Sequence, residues 1–435
     1  SFEGEKEKKG EAVLKGVLEE FRPEMVGVTA LTPEVYAARE VVRAVKGFSK
    51  EIFTVVGGHH ASLLPEDFDI PEVDAIAVGE GEVVFPGLVE AVAGRGKLRE
   101  VPNLIWRDGE GRMVHNRMME AGLSMDGLPI AARELTGKYR DQYFFLFHRP
   151  DTSVATARGC PYRCNFCSVW KFNHGRTRRM SAGRVLEELR TVRTEHVTFV
   201  DDNFLIDWKR EDAIAERIRA EGLRMQFSME CRTDAIVRRP ELIKKWVEIG
   251  LVGVLLGLEG VSDQTLSRVN KSNTAAVNSR AIEILHEHNV MIWGAFIVDP
   301  DWGKDDFARL RDYVREKGIV ITQFTVLTPL PGTELYRERF GDLLTHDYSC
   351  YDTMHAVVPT RLPREEFYRQ FAGLYQQQDL GPYYELVRAG RMTVEDCRRG
   401  KAMLDAMGRW ERFLEKDPVL GKCWGEEMGR RMPKR

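Results

Sequence analysis

The stretch Arg-Gly-Cys-Pro-Tyr-Arg-Cys-Asn-Phe-Cys-Ser-Val-Trp, residues 158–170, decides both the fold and the chemistry of this chain. It places Cys160, Cys164 and Cys167 at spacings of four and three residues, so that their thiolates can converge on one face of a loop. A 4Fe–4S cluster normally takes four thiolates, and three would leave one iron open to another ligand. Zinc is the alternative metal, but its structural sites use four protein ligands, and no second Cys-x-x-Cys knuckle occurs. The motif therefore favours an iron–sulfur cluster.

Length and composition indicate a globular enzyme of several domains. The 435 residues exceed one ordinary core, and 43% hydrophobic and 30% charged residues are typical of globular proteins. The net charge of −3 provides no basic field for nucleic acid. Cysteine usage indicates a reducing compartment, no apolar run approaches the ~20 residues that span a bilayer, and residues 1–9 are charged rather than signal-like. We expect a cytoplasmic enzyme, with binding at a membrane surface left open.

Three short apolar runs precede the cysteine motif, at residues 25–31, 52–56 and 75–78, with helical patterns between them. Glycine-rich turns, Gly57-Gly58-His59-His60 and Gly79-Glu80-Gly81-Glu82, follow the second and third runs. This order predicts a doubly wound, Rossmann-like α/β domain over residues 1–100, whose ligands bind beyond the carboxyl ends of the strands. Tight β–α turns are the simpler interpretation of these glycines, and the spacing alone does not decide between the two.

Residues 101–150 read as a linker that contains a hairpin, with strands at 103–107 and 112–115. A repeating strand–helix pattern occupies residues 151–335, and helical patterns fill residues 336–435. Six βα units form an incomplete barrel of the TIM type, short of the eight that close one. The predicted barrel strands are residues 153–157, 196–200, 225–229, 252–257, 291–298 and 322–327.

Polar residues collect where the predicted barrel strands end, which is the end that carries the active site in such barrels. Asp201, Asp202 and Asn203 follow the second strand, Arg232 follows the third and Glu259 follows the fourth. Carboxylates can bind amino groups and hydroxyls, and a guanidinium can bind a carboxylate. Helix capping is the simpler role for Asp and Asn at such positions, and we favour the binding role here.

The cysteine motif, with an aromatic residue before its last cysteine, resembles the signature of the radical S-adenosylmethionine (SAM) enzymes. The resemblance implies a 4Fe–4S cluster on the three motif cysteines and SAM on its open iron. By resemblance, the second strand end contacts the SAM amino group, and the third and fourth contact its carboxylate and ribose. The SAM-binding residues implied are Phe166, Asp201, Asp202, Asn203, Arg232, Glu259 and Leu327.

Thr-Ala-Leu-Thr at 29–32, together with the two glycine turns, resembles the cobalamin-binding domain of cobalamin-dependent radical SAM enzymes. The cobalamin contacts implied are Thr29, Leu31, Thr32, Gly57, Gly58, His59, His60, Gly79, Glu80 and Gly81. The chain lacks the Asp-x-His-x-x-Gly motif that supplies a histidine to cobalt in the wider cobalamin family, so His59 and His60 are expected to support the loop rather than bind cobalt. The family usually has a further strand and helix ahead of residue 1, so the first domain is expected to lack its first βα unit.

The runs at residues 158–172, 199–204, 324–333 and 355–363 resemble the hopanoid C-3 methylases. The implied function is transfer of methyl from methylcobalamin to an unactivated sp³ carbon of a hopanoid lipid, after a radical made from SAM removes hydrogen. No protein acid or base is needed, so we expect no catalytic residues beyond cofactor ligands. The alternative is a related enzyme that cyclises, rearranges or couples its substrate, whereas a zinc or cobalamin carrier and a transfer-RNA methylthiotransferase are disfavoured.

The same resemblance implies a lipid substrate and an electron-donor protein such as flavodoxin or ferredoxin, and no nucleic acid. A polycyclic lipid needs a wide apolar passage between the two domains. The predicted walls are the aromatic run at residues 143–147, Trp170, Phe172 and Trp293, and interdomain core is the other role open to these side chains.

Overall fold

The computed structural model describes residues 2–119, 122–376, 381–388, 390 and 392–420. The end of the predicted helical region, residues 421–435, lies outside these ranges and includes Cys423. Among the described residues, every helix is too short or too polar to cross a membrane.

The amino-terminal domain is built on a five-stranded sheet in sequential order. Its first three strands are parallel, as predicted, and the last two form an antiparallel hairpin. The strands are β1 (Met25–Thr29), β2 (Phe53–Gly57), β3 (Ala75–Ala77), β4 (Leu104–Arg107) and β5 (Met113–His115). The helices are α1 (Phe2–Phe21), α2 (Val35–Phe48), α3 (His59–Leu63) and α4 (Gly81–Val92).

Alternate strand residues of this sheet bury on opposite faces, which is why helices cover both sides. Val56 and Ile76 pack in one apolar cluster with residues of α2 and α3, and Val55 and Ala75 pack in another with α4. A parallel sheet that is buried on both faces carries such continuous apolar runs. The doubly wound prediction is confirmed for this domain.

The predicted hairpin forms, but it belongs to the first sheet rather than to a free linker. β4 pairs antiparallel with β3, with Ala75 opposite Trp106, and β5 pairs with β4. The sheet therefore continues past the predicted boundary at residue 100 to His115. The cause is that backbone groups at the edge of β3 need hydrogen-bond partners, and the next strand along the chain supplies them.

The second domain is an open barrel of six parallel strands that follow one another in chain order. They are β6 (Asp151–Val154), β9 (His196–Phe199), β10 (Gln226–Arg232), β11 (Leu251–Glu259), β12 (Met291–Val298) and β13 (Ile321–Val326). A two-stranded ribbon, β7 (Ala157–Arg158) and β8 (Arg178–Arg179), brackets the cysteine loop. The six predicted strands are confirmed, with ends displaced by a few residues.

Helices follow the barrel strands, and the longer ones pack on the outside of the barrel. The helices are α5 (Val169–Phe172), α6 (Ala182–Thr191), α7 (Trp208–Glu221), α8 (Thr233–Arg238), α9 (Pro240–Glu248), α10 (Asp263–Arg268), α11 (Ala275–Glu287), α12 (Lys304–Glu316) and α13 (Glu334–Arg339). Of these, α5 lies at the domain boundary, where Phe172 stacks on His59. The described part of the carboxyl-terminal region adds α14 (Arg364–Gln376), α15 (Gly381–Arg388), α16 (Val394–Met407) and α17 (Glu411–Glu415). A core of interlocked aromatic rings, including Phe199, Phe227 and Trp246, fixes the barrel strands in place.

The carboxyl ends of the two sheets face each other across the domain boundary. The ring of His60, after β2, lies 4.9 Å from that of Tyr348, which follows the last barrel strand. Gly332 packs so closely on Leu63 of α3 that a Cβ at Gly332 would lie 2.9 Å from Leu63 Cδ1. Ligands of either sheet therefore meet in the space between the domains.

The prediction that these aromatic residues line a substrate passage is wrong for most of them. Phe145 lies 5.5 Å from Trp293, which is near the amino end of β12, and Leu146 and Phe147 pack in the same apolar cluster as Trp293. The chain crosses the amino ends of the barrel strands just before it enters β6, where the Asp151 N–H donates to Tyr143 O. This run therefore closes the barrel at the end remote from the cysteine loop. Phe172 stacks on His59 at the domain boundary, and Trp170 donates to Cys164 O within the cysteine loop.

Candidate active site

The cysteine loop is anchored from below by Asp201. Its carboxylate, 1% exposed, accepts hydrogen bonds from Thr156 N at 2.5 Å, Thr156 Oγ1 at 2.5 Å and Ala157 N at 2.9 Å. Burial raises the pKa of Asp201, and the donors of Thr156 and Ala157 oppose that rise. Both oxygens are thus engaged in holding the strand that leads into the loop. Asp201 supports the expected SAM pocket from beneath rather than reaching into it.

The three motif thiols differ in exposure, since Cys164 is buried and Cys160 and Cys167 are partly exposed. Burial raises the pKa of all three thiols, to about 12 for Cys167, and Lys271 and Arg232 oppose the rise at Cys164. Such thiols keep their protons until a metal displaces them. Three soft sulfur donors on one loop fit an iron–sulfur cluster. Among the described residues, no three or more His, Cys, Asp or Glu side chains converge closely enough for a single metal ion.

Arg232 packs directly beneath the cysteine loop. Its Nε donates to Asp234 Oδ1 at 2.9 Å, its Nη2 donates to Lys271 O at 2.7 Å, and its Nη1 lies 4.0 Å from Cys164 Sγ. The guanidinium thus faces the sulfur of Cys164 within the cysteine loop. Asn203, 3% exposed, accepts from the Arg232 backbone N–H at 3.3 Å and so helps to position this strand end.

Carboxylates surround the space above the cysteine loop. Asp202 accepts from Gly159 N at 2.8 Å, and Glu259 Oε1 lies 2.7 Å from Lys271 Nζ. Glu230 is exposed to this space, and desolvation together with the charges of Asp202 and Glu259 raises its pKa to about 7. Even with Glu230 half protonated at neutral pH, these three acids and one lysine leave a negative pocket, which complements the sulfonium and amino charges of SAM. Glu230 and Lys271 were missing from the predicted set, and Lys271 carries no sequence signal because it lies in a loop after α10.

An apolar wall stands beside these carboxylates. Leu327 is buried with Val269 and Leu335, and Phe166 and Ile297 pack against this cluster. A cavity of about 540 Å³ touches Glu259, Val269, Ile297 and Leu327. Phe166 and Leu327, far apart in sequence, are thus brought together as expected for an adenine pocket.

The carboxyl edge of the first sheet is shaped by Gly58. Its φ of +94° lies in a region that side chains disfavour, and a Cβ there would lie 2.3 Å from Thr29 Oγ1. Gly57 ends β2, Gly79 N donates to Ser62 Oγ at 2.8 Å and Gly81 begins α4. Leu31 is 54% exposed at the same edge. The glycines at this edge are partly or fully exposed, so a ligand can approach the backbone closely there.

The two neighbouring histidines have separate roles. His60 is fully buried, with Nδ1 3.1 Å from Thr32 Oγ1 and Nε2 3.0 Å from Asp67 Oδ2. His59 reaches the other domain, where its Nε2 lies 2.7 Å from Ser168 Oγ and its ring stacks on Phe172 at 5.1 Å. Both nitrogens of His60 are thus engaged with protein side chains, and His59 is held across the domain boundary through Nε2, which agrees with the expected role of the two histidines in supporting the loop.

Glu80 joins the domains instead of standing free for cobalamin. It lies 3.0 Å from Arg158 Nη1 and pairs with both nitrogens of Arg178, while Glu82 Oε1 lies 2.5 Å from Arg158 Nη2. Burial acts to raise the pKa of Glu80, but hydrogen bonds and charges from Arg178 and Arg158 outweigh burial, so the pKa is lowered. The ribbon that brackets the cysteine loop is therefore tied to the glycine turn that follows β3, at residues 79–82. A cleft of about 280 Å³ beside this contact is lined by Leu63, Val78, Met118, Met119 and Phe172, with Arg176 and Arg178 at one side.

We expect the variants His59→Ala and His60→Ala to retain the cobalt electron paramagnetic resonance spectrum of the wild type with bound cob(II)alamin. The expectation rests on the missing Asp-x-His-x-x-Gly motif and on the protein contacts of both rings, through both nitrogens of His60 and through Nε2 of His59. The spectrum should show no nitrogen coupling from a protein imidazole. A coupling that is present in the wild type and lost in either variant would contradict this expectation.

Comparisons with known proteins agree with this geometry. Residues 154–314 match the family model of the radical SAM superfamily, and residues 6–89 match that of the B12 binding domain. The chain is 35% identical over 369 residues to hopanoid C-3 methylase of Methylococcus capsulatus, which covers 82% of this chain and 69% of that protein. It is 28% identical to an anaerobic magnesium-protoporphyrin IX monomethyl ester cyclase of Cereibacter sphaeroides, over 80% of this chain and 58% of that protein.

Among solved structures, the cobalamin-dependent radical SAM enzyme OxsB with aqua-cobalamin and SAM bound has the same fold. The TM-score is 0.67 at 17% identity, over 93% of this chain and 65% of that one.

The fold and the site define a radical SAM enzyme that carries a cobalamin-binding domain. Within that class, the chain belongs to the family of cobalamin-dependent radical SAM methyltransferases that includes hopanoid C-3 methylase. Its cofactors are a 4Fe–4S cluster, SAM and cobalamin.

Proposed function

We propose that this enzyme methylates an unactivated sp³ carbon with methylcobalamin as the methyl source, and that its substrate is a hopanoid lipid methylated at C-3. The observation that carries the proposal is the 35% identity to hopanoid C-3 methylase over 82% of the chain. The placement of the cysteine loop opposite the glycine edge of the first sheet is the arrangement that such a reaction requires.

The cofactors carry the hard chemistry, while the protein supplies position and polarity. When bound, the cluster and SAM supply a radical that removes hydrogen from the substrate, and methylcobalamin supplies the methyl group. Asp202, Glu230 and Glu259 would hold the positive charges of SAM, and Phe166 with Leu327 would hold its adenine. Residues 57–58 and 79 would present backbone to cobalamin.

The interdomain cleft offers both apolar and charged surface. Leu63, Val78 and Phe172 form an apolar side, and Lys171, Arg176 and Arg178 form a cationic side. The apolar side suits the ring system of a lipid, whose few polar groups could bond to the charged side chains. We include a low-potential electron donor such as flavodoxin or ferredoxin in the proposal, and contact with the membrane surface, where a lipid substrate resides.

The test is incubation of anaerobically reconstituted enzyme with diploptene or diplopterol, SAM, methylcobalamin and a reductant. We expect 5′-deoxyadenosine and a lipid product that is one methylene heavier, detected by mass spectrometry. Formation of 5′-deoxyadenosine without a heavier lipid would remove the hopanoid assignment and leave the radical chemistry intact.

A second candidate is oxidative cyclisation or another rearrangement of a different substrate. The 28% identity to the magnesium-protoporphyrin monomethyl ester cyclase favours it. Product mass separates the two functions, because a cyclised or rearranged product does not gain a methylene.

A further inference from the structure

The side chain of Arg232 is held in one orientation by oxygen acceptors. It is 5% exposed, and Nε donates to Asp234 Oδ1 at 2.9 Å. Nη2 donates to Lys271 O at 2.7 Å and, more weakly, to Ser272 O at 3.4 Å. Because the guanidinium is planar, these bonds fix where its remaining nitrogen points. Nη1 faces Cys164 Sγ at 4.0 Å.

The opposite face of the same guanidinium is closed by an aromatic ring. The Arg232 Cζ lies 3.5 Å from the ring centre of Tyr162, whose hydroxyl donates to Asp234 Oδ2 at 2.6 Å. Tyr162 itself belongs to the cysteine loop. A cation without access to water keeps much more of its field than an exposed one, because solvent does not screen it.

We propose that Arg232 raises the reduction potential of the cluster held by Cys160, Cys164 and Cys167, by placing a buried positive charge and an N–H donor at the Cys164 sulfur. The inference rests on the cluster assignment that the proposed function shares, and it does not depend on the identity of the substrate.

The direction of the effect follows from charge. Reduction adds one electron from an external low-potential donor, such as dithionite, and makes the cluster with its thiolates one unit more negative. A fixed cation beside a ligand sulfur stabilises the more negative state. Hydrogen bonds to the sulfurs and local charge are among the established determinants of cluster potentials.

The test is a spectroscopic redox titration of reconstituted Arg232→Gln and wild type, without SAM. We expect the midpoint potential of Arg232→Gln to move to a more negative value and the fraction reduced by a fixed dithionite excess to fall. The matched control is Arg238→Gln. Arg238 also bonds to Asp234 and to the Tyr162 hydroxyl, but its side chain is 63% exposed, so its charge is screened and the potential should stay at the wild-type value.

Arg232→Lys keeps the charge without the planar fork and covers the case in which Arg232→Gln fails to assemble a cluster. We expect the midpoint potential of Arg232→Lys to lie between those of the wild type and Arg232→Gln. If the charge alone sets the potential, that of Arg232→Lys should equal that of the wild type. A wild-type or more positive potential in Arg232→Gln with full iron content would overturn the proposal, as would a shift in Arg238→Gln of the same size. If the wild type does not methylate a hopanoid, the proposed function is refuted, but the measured cluster potentials are unaffected.

Discussion

The variant in which Cys160, Cys164 and Cys167 are all replaced by alanine will lack cluster absorbance and form no 5′-deoxyadenosine above background. The three sulfurs are the soft donors on the loop, and alanine offers no ligand in their place. The measurements are the visible spectrum and iron content after anaerobic reconstitution, followed by chromatography of the SAM cleavage products.

The control for this variant is Cys397→Ala. Cys397 is a free cysteine of α16 that packs with Ile321 and Tyr383 near the amino ends of the barrel strands. This protein should bind iron and cleave SAM like the wild type. Retention of full iron in the triple variant, or zinc in place of iron in the wild-type site, would contradict the cluster assignment.

Gly58→Ala is expected to weaken cobalamin binding by about tenfold or more. A side chain at a φ of +94° costs on the order of 1–3 kcal/mol, and the added Cβ would lie 2.3 Å from Thr29 Oγ1 and 3.0 Å from Ala30 N. The backbone must move away from the edge where we place cobalamin, and ~1.4 kcal/mol corresponds to a tenfold change in affinity. Titration of the purified protein with hydroxocobalamin, followed by absorbance, measures the change.

Gly47→Ala provides the matched control, because a Cβ at Gly47 meets no atom within 4 Å and this glycine lies in helix α2. Its affinity for cobalamin should equal that of the wild type, and its stability should be the same or slightly higher. If Gly58→Ala binds cobalamin as tightly as Gly47→Ala does, the cobalamin site lies elsewhere. Thermal unfolding of both variants separates a lost site from a lost domain.

The amino-acid sequence by itself determined the order of elements and the place of the chemistry. Spacing of Cys160, Cys164 and Cys167 identifies a loop site because all three donors lie within eight consecutive residues. Apolar runs that end in Gly57 or in Asp201 identify buried parallel strands and their carboxyl ends, because a strand buried on both faces must be apolar throughout. These signals are local, and they predicted the two α/β domains and the six barrel strands.

The tertiary structure decided which polar residues face a ligand and which hold the scaffold. Arg232 is directed by oxygens of Asp234 and Lys271, and Glu80 by Arg158 and Arg178. Most of these partners lie tens of residues away. The carboxylate of Asp201 likewise accepts a hydrogen bond from Thr156, which lies 45 residues earlier in the chain.

The aromatic run at residues 143–147 shows the same limit for apolar side chains. Its composition suits a lipid passage or a core equally well, and the choice depends on which end of the barrel the chain crosses before β6. A buried polar or aromatic group takes whatever partner the folded chain brings within contact distance. Its residue type states what it can bond to, and only the packing of distant segments decides what it does bond to.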